Sequence, residues 1–295
     1  MHMRVEIEPG RYVVAVSGGV DSMSLLHALR NLPGVQLTVA HFDHGIRPDS
    51  RLDRELVQQT AKQYGLPFVY HEGRLGRGAS EALARNARYK FLEAVKKAVG
   101  AQAIITAHHE DDALETAIIN MLRGTGRRGI TSLQSHRHLV RPLLTIPKKD
   151  ILAYAQDQGL LWREDSTNED LTILRNYVRK VLLPKIGEEG KKQLLTHIAH
   201  LRVLNRAIDN HLGLYLHLQP ARQTLDRQEF ANLPHAVALE VLAQWLRSHH
   251  VQFDASLLEQ LVIKCKTLPA GKVLSLDAQR SIRLGAESIV LVQSF

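Results

Sequence analysis

Hydrophobic and polar positions follow two alternating periods along the first half of the chain. Short apolar runs that are typical of buried strands cover residues 12–16, 35–42, 67–71 and 102–107. Segments with apolar residues at helical spacing lie between them, at 23–32, 51–64 and 80–99. Strands that alternate with helices in this way predict an α/β fold with a doubly wound parallel sheet.

The second half has a different pattern. An amphipathic helical segment runs from about 190 to 218 and is broken by Gln219-Pro220. Helices around 229–248 and 256–266 then precede a hairpin of 272–276 with 282–292. This order predicts a smaller helical α+β domain. The predicted division is 1–188 for the α/β domain, 189–220 for a helical linker and 221–295 for the C-terminal domain.

Composition places the chain among soluble globular proteins, with 44% apolar and 23% charged residues in 295. Apolar runs are too short to span a membrane, and the N-terminus has no apolar signal core, so we expect a cytoplasmic protein with no membrane partner. Cys265 is the only cysteine, which excludes an internal disulfide, a CxxC redox pair and a thiolate zinc site. We expect it to be a small buried hydrophobic residue.

A glycine turn between the first strand and the first helix carries the clearest chemistry. It reads Ser17-Gly18-Gly19-Val20-Asp21-Ser22. Paired glycines allow a tight turn, and the helix N-terminus that follows favours an anion such as phosphate. The serines add hydroxyl donors, and the Asp21 carboxylate suits a Mg²⁺ ion that bridges phosphate oxygens. The alternative is a structural Gly-Gly turn. No Walker loop is present, and the hexapeptide resembles the pyrophosphate-binding loop of ATP pyrophosphatases, which adenylate a substrate oxygen.

Two more polar segments follow predicted strands, at 41–47 and at 108–112. Because the carboxyl ends of parallel strands share one edge of a sheet, both segments are expected beside the glycine turn. Helical spacing also puts His108, Asp112 and Glu115 on one face with Ile119 and Leu122. Such carboxylates suit a cationic co-substrate such as an amine, although acidic residues also cap helix N-termini. A histidine there suits a phosphate hydrogen bond or proton transfer.

Positive charge is concentrated in one stretch. The chain has a net charge of +8, and no acidic residue occurs from 116 to 149. The glycine-rich part of this stretch, 123–129, is typical of a loop that contacts a phosphate backbone, although a solvated surface also explains charged runs. Arg85 and Arg88 lie one turn apart on a predicted helix, where exposed charge and phosphate contact are equally good interpretations.

Several motifs together resemble the tRNA(Ile)-lysidine synthetase family over roughly residues 13 to 184, in order and spacing. They are the hexapeptide, 41–47, Glu81-Ala82 with Arg88-Tyr89, Ala107-His108-His109 with Asp112, Glu115 and Thr116, Arg123-Gly124-Thr125-Gly126, Arg141-Pro142-Leu143-Leu144, and 165–168 followed by Arg175-Asn176. The C-terminal part resembles the first C-terminal domain of the family, which helps to grip tRNA. Longer members have a further domain, so we expect tRNA selection to be handled differently here.

The resemblance implies an ATP-dependent ligase. ATP adenylates the C2 carbonyl oxygen of the wobble cytidine of tRNA(Ile) with a CAU anticodon, and the ε-amine of L-lysine then displaces AMP to form lysidine. The resemblance implies that ATP is bound by Ser17, Gly18, Gly19, Val20, Asp21, Ser22 and His41, that Asp21 also holds Mg²⁺, and that Asp112 and Glu115 bind lysine. It places Arg88 and His108 near the reacting phosphate, so that the implied catalytic residues are Asp21, Arg88, His108 and Asp112. The implied tRNA-binding residues are Arg123, Arg127, Arg128, Arg175 and Arg179.

Other interpretations remain open at this point. Another PP-loop tRNA-modifying enzyme, such as a tRNA thiolase, is disfavoured because thiolases generally need more than one cysteine. A metal-dependent phosphohydrolase would use His41, His44, His108, His109 and Asp112 but leaves the glycine turn unexplained. A non-catalytic RNA-binding protein is disfavoured by the 5% aromatic content. The proton acceptor for the lysine amine (Asp112, His108 or water) and the oligomeric state, with a homodimer as one candidate, also stay open.

Overall fold

A computed structural model describes residues 3–45, 50–73, 76, 80–164, 170–217 and 223–293. The chain divides into two compact units, Met1–Ala199 and His200–Phe295. The boundary lies inside the segment 189–220 that is predicted as a helical linker, and the functional division into three parts stays a prediction. Within the described ranges, no helix combines the length and apolar character that a membrane crossing requires.

The first unit is an α/β domain whose strands alternate with helices. Its elements are β1 (Gly10–Ala15), α1 (Val20–Leu29), β2 (Val35–Asp43), α2 (Ser50–Gln63), β3 (Phe68–Glu72), α3 (Glu81–Ala98), β4 (Ala103–Ile105), α4 (Glu110–Leu122), α5 (Arg127–Ile130), β5 (Leu139–Val140), α6 (Lys148–Asp157), α7 (Leu174–Tyr177), a π-helical turn (Val178–Leu182) and the start of α8 (Leu183–His217). The strands form one parallel sheet in the order β3-β2-β1-β4-β5.

Helices cover both faces of this sheet because its central strands are apolar on both sides. In β1, Val13 belongs to the same buried cluster as Leu92 of α3. Its neighbour Val14 points the other way and belongs to the cluster that contains Leu25 of α1 and Ile151 of α6. The predicted doubly wound sheet is confirmed. The strand order reverses between β1 and β4, and in such sheets the crevice at this switch point is where ligands bind.

The second unit combines helices with a small antiparallel sheet. Its elements after α8 are β6 (Thr224–Asp226), α9 (Arg227–Asn232), α10 (His235–Ser248), α11 (Ala255–Thr267), β7 (Val273–Ser275), β8 (Arg280–Leu284) and β9 (Ser288–Gln293), and the strands pair in the order β6-β9-β8-β7. Phe230 and Trp245 lie in its core with Cys265. Burial raises the pKa of the Cys265 thiol to about 12, and the prediction of a buried small residue is confirmed.

The structure divides two segments that are predicted as continuous. The predicted helix 229–248 is α9 and α10, separated at Pro234, which has no N–H group to donate within a helix. The predicted strand 282–292 is β8 and β9, joined by a turn in which Gly285 N–H donates to the Ser288 carbonyl. Pro184 does not interrupt the helical segment, since it lies in the first turn of α8, where proline is tolerated. The predicted break at Gln219-Pro220 lies outside the described residues.

Candidate active site

The glycine turn connects β1 to α1 and is held in shape by its own side chains. Gly18 has a φ of +96°, and a Cβ atom there would approach the Cβ of Asp53 to 3.3 Å, so glycine is required. The Ser22 hydroxyl accepts from Ser17 N–H (3.1 Å) and donates to the Gly19 carbonyl (3.0 Å). Among the described residues, no side chain caps the N-terminus of α1. The first N–H groups of this helix are therefore available to an anion.

Two residues that are distant in sequence brace this turn. Arg163 N–H donates to the Gly18 carbonyl at 3.0 Å. The Arg163 side chain donates from Nε to Asp53 at 2.8 Å, and Asp53 is buried in α2. Sequence reasoning missed both residues, because a single carboxylate and a single arginine so far apart leave no local pattern.

A cavity of about 410 Å³ lies at the carboxyl ends of β1, β2 and β4. Its volume is in the range of small-molecule sites. Of the predicted site residues, the cavity wall includes Ser17, Gly19, Asp21, Ser22, His41, Arg88, His108 and Asp112. Gly18 and Val20 lie in the same turn without lining the cavity. The expected convergence of the three polar segments on one edge of the sheet is thus visible, although residues 46 and 47 of the second segment and the motif 165–168 lie outside the described residues.

His41 presents a neutral acceptor to this cavity. Its Nδ1 lies 2.9 Å from the Val16 carbonyl, and because a carbonyl only accepts, Nδ1 carries the proton. Burial lowers the pKa of the imidazole, which keeps it neutral. Nε2 is buried without a partner among the described residues. This atom suits a hydroxyl or amine donor on a ligand better than a phosphate oxygen.

Asp21 is paired in the structure with residues from two other segments. Its Oδ1 accepts from Lys148 Nζ at 2.5 Å, and its Oδ2 lies 3.7 Å from His109 Nε2. Lys148 also donates its backbone N–H to Asp111 at 2.8 Å. Sequence reasoning placed Lys148 only in the basic stretch. The structure puts its ammonium group beside the glycine turn, where it can contact a phosphate or hold Asp21 in place.

A Mg²⁺ ion that takes a single protein ligand fits this arrangement. One carboxylate beside a phosphate-binding turn is the usual protein share of a Mg²⁺ site that is completed by nucleotide phosphates and water. Among the residues that the structure describes, no three His, Cys, Asp or Glu side chains converge as ligands of one metal ion. The geometry therefore gives no support to a phosphohydrolase built on His41, His44, His108, His109 and Asp112.

His108 lines the cavity as a neutral imidazole. Its Nδ1 lies 2.8 Å from the Thr106 hydroxyl. Burial, aided by Arg141, Arg88 and Arg85 and opposed by Asp112, lowers the pKa of His108 to about 3. At neutral pH the side chain therefore offers a hydrogen bond rather than a positive charge. Its predicted contact with a reacting phosphate stays a prediction.

The helix that carries the acidic residues starts later than expected. α4 begins at Glu110, and His109 N–H donates to the Asp112 carboxylate at 3.0 Å. Burial alone would raise the pKa of Asp112, but His109, His108 and Arg175 together lower it. The predicted common face ends early, since Leu122 is 63% exposed.

Glu115 is fully buried and forms ion pairs with two arginines. Arg175 Nε lies 2.9 Å and Arg179 Nε 2.6 Å from its carboxylate oxygens. The same arginines reach Asp112 at 3.3 and 3.7 Å. We call Asp112, Glu115, Arg175 and Arg179 the acid cluster. It joins the predicted lysine-binding carboxylates to predicted tRNA-binding arginines, so these residues cannot act as two independent sites in this state.

The remaining basic residues lie at the end of α4 and just after it. Arg123 follows the last residue of α4, and Gly124 has a φ of +66°. Arg127 and Arg128 are the first two of the four residues of helix α5 and do not lie in a loop. Both are half-buried. Their assignment to tRNA stays a prediction.

The PP-loop domain family matches this chain over residues 2–186, which include the turn, the cavity and the acid cluster. The chain belongs to the PP-loop family. The predicted superfamily is thus confirmed. We call the glycine turn 17–22 the PP-loop, since its sequence resembles a pyrophosphate-binding loop.

Curated relatives of this PP-loop protein carry the name tRNA(Ile)-lysidine synthase. That of Solibacter usitatus is 38% identical over 67% of this chain and 46% of its own length. That of Nitrosomonas europaea is 31% identical over 90% of this chain and 65% of its own length. The resemblance seen in the sequence motifs is confirmed by these matches. The chain spans about half to two thirds of the length of such relatives.

A solved structure also shares the fold. The U34-tRNA thiolase NcsA from Methanococcus maripaludis, with its [4Fe-4S] cluster, superposes with a TM-score of 0.54, covering 66% of this chain and 73% of its own. The identity is 17%, so this likeness concerns the fold alone.

Proposed function

We propose that this PP-loop protein joins L-lysine to the wobble cytidine of tRNA(Ile) with a CAU anticodon. In the first step the C2 carbonyl oxygen bonds to the α-phosphorus of ATP and pyrophosphate leaves. In the second step the lysine ε-nitrogen bonds to C2, loses a proton, and AMP leaves, which yields lysidine. The observation that carries this proposal is a single cavity that joins the PP-loop to His108 and Asp112. The names of the curated relatives support it.

The nucleotide part of the proposal rests on the turn. The open N-terminus of α1 and the Ser17–Ser22 backbone bind the triphosphate. For Ser22 to donate to a phosphate, its bond to the Gly19 carbonyl has to open. His41 Nε2 accepts from a hydroxyl or amino group of the nucleoside. Asp21 would hold Mg²⁺, which neutralises charge on the departing pyrophosphate.

The reacting phosphate lies, in this proposal, between Arg88 and His108. Arg88 lines the cavity, carries a positive charge and donates hydrogen bonds through its guanidinium group. His108 is neutral and donates or accepts one hydrogen bond there, with Thr106 fixing its ring. A fixed guanidinium beside a phosphate that gains a bond is an effective form of transition-state stabilisation.

The lysine part is assigned to Asp112 and Glu115, with unequal roles. Asp112 lines the cavity, whereas Glu115 is fully buried behind it and holds the two arginines. An incoming ammonium group therefore meets Asp112 first and takes the place of a guanidinium. The amine has to lose a proton before attack, and both Asp112 and His108, whose pKa values are lowered, are weak bases in this state.

The RNA part is assigned to the arginines outside the cavity: Arg123, Arg127 and Arg128, with Arg175 and Arg179 once they leave the carboxylates. The proposed compartment is the cytoplasm, where ATP, lysine and tRNA meet. A homodimer stays one candidate for the oligomeric state. Cys265 is buried in the core of the second unit, which gives no support to a thiolase.

Pyrophosphate release without lysine tests the first half-reaction. The protein is incubated with ATP, Mg²⁺ and a tRNA(Ile) transcript with a CAU anticodon, and with a control transcript in which the wobble cytidine is uridine. We expect pyrophosphate release with the first transcript, at about one equivalent per tRNA, and none above background with the second. Equal release with both transcripts, or release without RNA, contradicts the proposal.

A further inference from the structure

Three arginines surround one tyrosine on the side of the cavity formed by α3. The guanidinium carbons of Arg85 and Arg88 lie 4.9 and 5.5 Å from the centroid of the Tyr89 ring. Arg141, which precedes the loop to α6, also interacts with Tyr89. We call Arg85, Arg88, Arg141 and Tyr89 the basic cluster.

This cluster has donors without acceptors. Arg88 Nε and Arg141 Nε are buried and have no hydrogen-bond partner among the described residues, and the Tyr89 hydroxyl beside both guanidinium groups can only share its oxygen between them. Arg141 is only 6% exposed. Within the same part of the chain, no carboxylate forms an ion pair with any of its three arginines. Buried donors are rarely left unpaired in native proteins, so these two nitrogens favour an acceptor that the described residues do not supply.

Electrostatics favour an anion as this acceptor. Burial lowers the pKa of Arg88 and of Arg141, and Arg85 adds to the effect at both by repulsion. Guanidinium groups and a phenol hydroxyl provide donors that match phosphate oxygens. An anion between these groups would satisfy the donors and remove the repulsion at once.

The position of the cluster favours a polymer over a mononucleotide. Of its three arginines, only Arg88 lines the cavity. Arg85 lies one helical turn away on α3 and is exposed to solvent. ATP phosphates are already assigned to the PP-loop, whereas an RNA strand that brings a nucleotide into the cavity has to extend outward past its rim.

We propose that Arg85 and Arg141, arranged with Arg88 around Tyr89, form a subsite for a backbone phosphodiester of the RNA strand that enters the cavity. This inference rests on the proposed function, because it takes tRNA as the substrate. The subsite positions the target nucleotide against the reacting phosphate. It adds an RNA contact to those predicted in the basic stretch 123–129.

The test compares Arg85→Ala with a matched control, Lys97→Ala, which removes one exposed charge from the same helix about 18 Å away. Affinity for the CAU tRNA(Ile) transcript is measured over a range of salt concentrations. We expect Arg85→Ala to weaken binding about threefold to tenfold and to reduce the log–log salt slope by roughly 0.7 to 0.9, with Lys97→Ala close to wild type. ATP affinity, measured without RNA, should stay within about twofold of wild type in both variants.

Two outcomes overturn the inference. Identical salt slopes in Arg85→Ala and Lys97→Ala exclude an RNA phosphate at this site. A loss of ATP affinity in Arg85→Ala, with tRNA binding unchanged, shows that the anion is the nucleotide instead. Tyr89→Phe removes only the hydroxyl donor and should weaken tRNA binding in the same direction, by a smaller factor.

Stability and product formation complete the test. Because the arginines repel each other in the free protein, Arg85→Ala should melt no lower than wild type, and a clear drop in melting temperature would reveal a structural role that contradicts the inference. Lysidine formation by the wild type is scored in parallel. If lysidine forms and the Arg85→Ala slope is unchanged, only the subsite fails; if the slope changes and no lysidine forms, only the proposed reaction fails.

Discussion

The PP-loop and the acid cluster both contribute to one cavity, but they differ in how ready they are for a ligand. The N-terminus of α1 is uncapped among the described residues and faces the cavity. Glu115, in contrast, already has two guanidinium partners at 2.6 and 2.9 Å. An anion can therefore bind the uncapped N–H groups of the turn, with only the Ser22 hydroxyl leaving the Gly19 carbonyl, whereas a cation at the acid cluster has to replace an arginine. This difference predicts that nucleotide binding is preorganised and that lysine binding is coupled to movement of Arg175 and Arg179.

The largest expected effect is at the turn. Asp21→Asn should lower tRNA-dependent pyrophosphate release about a hundredfold or more while the fold is kept, because a charged ligand is lost where phosphate charge develops. The matched control is Lys148→Ala, which breaks the same ion pair and leaves the carboxylate. Only Asp21→Asn should raise the Mg²⁺ concentration needed for half-maximal rate. The same Mg²⁺ dependence in both variants would mean that Asp21 acts only through Lys148.

The next effect concerns the acid cluster. Glu115→Gln should raise the lysine concentration for half-maximal lysidine formation about tenfold, because Arg175 and Arg179 then pair more strongly with Asp112 and compete there with lysine, and a charge-assisted hydrogen bond is worth roughly 1.5–3 kcal/mol. Adenylation should be largely preserved. The variant should also be less stable, because it leaves two arginines beside a neutral buried group.

A double variant separates these two consequences for Glu115. Glu115→Gln combined with Arg179→Gln removes one of the two arginine charges that lose Glu115, so the melting temperature should recover in part while the lysine dependence stays weak. Recovery of both the melting temperature and the lysine dependence would show that Glu115 acts only as a structural partner of Arg179. Arg179→Gln alone should lower the lysine requirement a few fold, since one competing cation is gone.

A smaller effect is expected for Arg127 and Arg128, which lie outside the cavity. Replacing Arg127 and Arg128 by alanine should weaken tRNA binding and reduce the log–log salt slope by roughly one or somewhat less for each lost contact. ATP affinity and lysine dependence should not change. Unchanged tRNA affinity at all salt concentrations would assign α5 to ordinary surface.

The smallest effect is on pH-dependent stability. His108 has a pKa of about 3 in the folded protein, below its ordinary value of 6.5, so the unfolded chain binds a proton first as the pH falls. Its stabilising contribution is present above about pH 6.5 and is lost as the pH decreases from there towards 3. From pH 7.5 to 5.5, urea unfolding should show the wild type losing roughly 1 kcal/mol more than His108→Gln. Equal losses in both proteins would contradict a buried neutral imidazole.

Features set by local sequence were predictable. The strand, glycine turn and helix around Ser17–Ser22 follow from a few adjacent residues, and the parallel sheet follows from the alternating periods. The failures at 229–248 and 282–292 have the same local origin, because Pro234 and Gly285 interrupt patterns that hydrophobicity alone would continue.

Long-range pairings were not predictable in the same way. The ion pair between Glu115 and Arg179 joins residues 64 positions apart, and the chain contains many other carboxylates and arginines at comparable distances. The same holds for Asp53 with Arg163. Residue type identified these side chains as charged. Only the fold decides which charges form ion pairs and which, like the arginines of the basic cluster, have no carboxylate partner among the described residues.

Nucleoside analysis after the complete reaction tests the central claim most directly. The protein is incubated with ATP, Mg²⁺, isotope-labelled L-lysine and the CAU tRNA(Ile) transcript, and the digested RNA is examined by mass spectrometry. The proposal predicts a labelled nucleoside with the mass of cytidine plus lysine less one water, at the wobble position, formed only when ATP is present. Pyrophosphate release with no lysine in the RNA, or lysine incorporation without ATP, would contradict it.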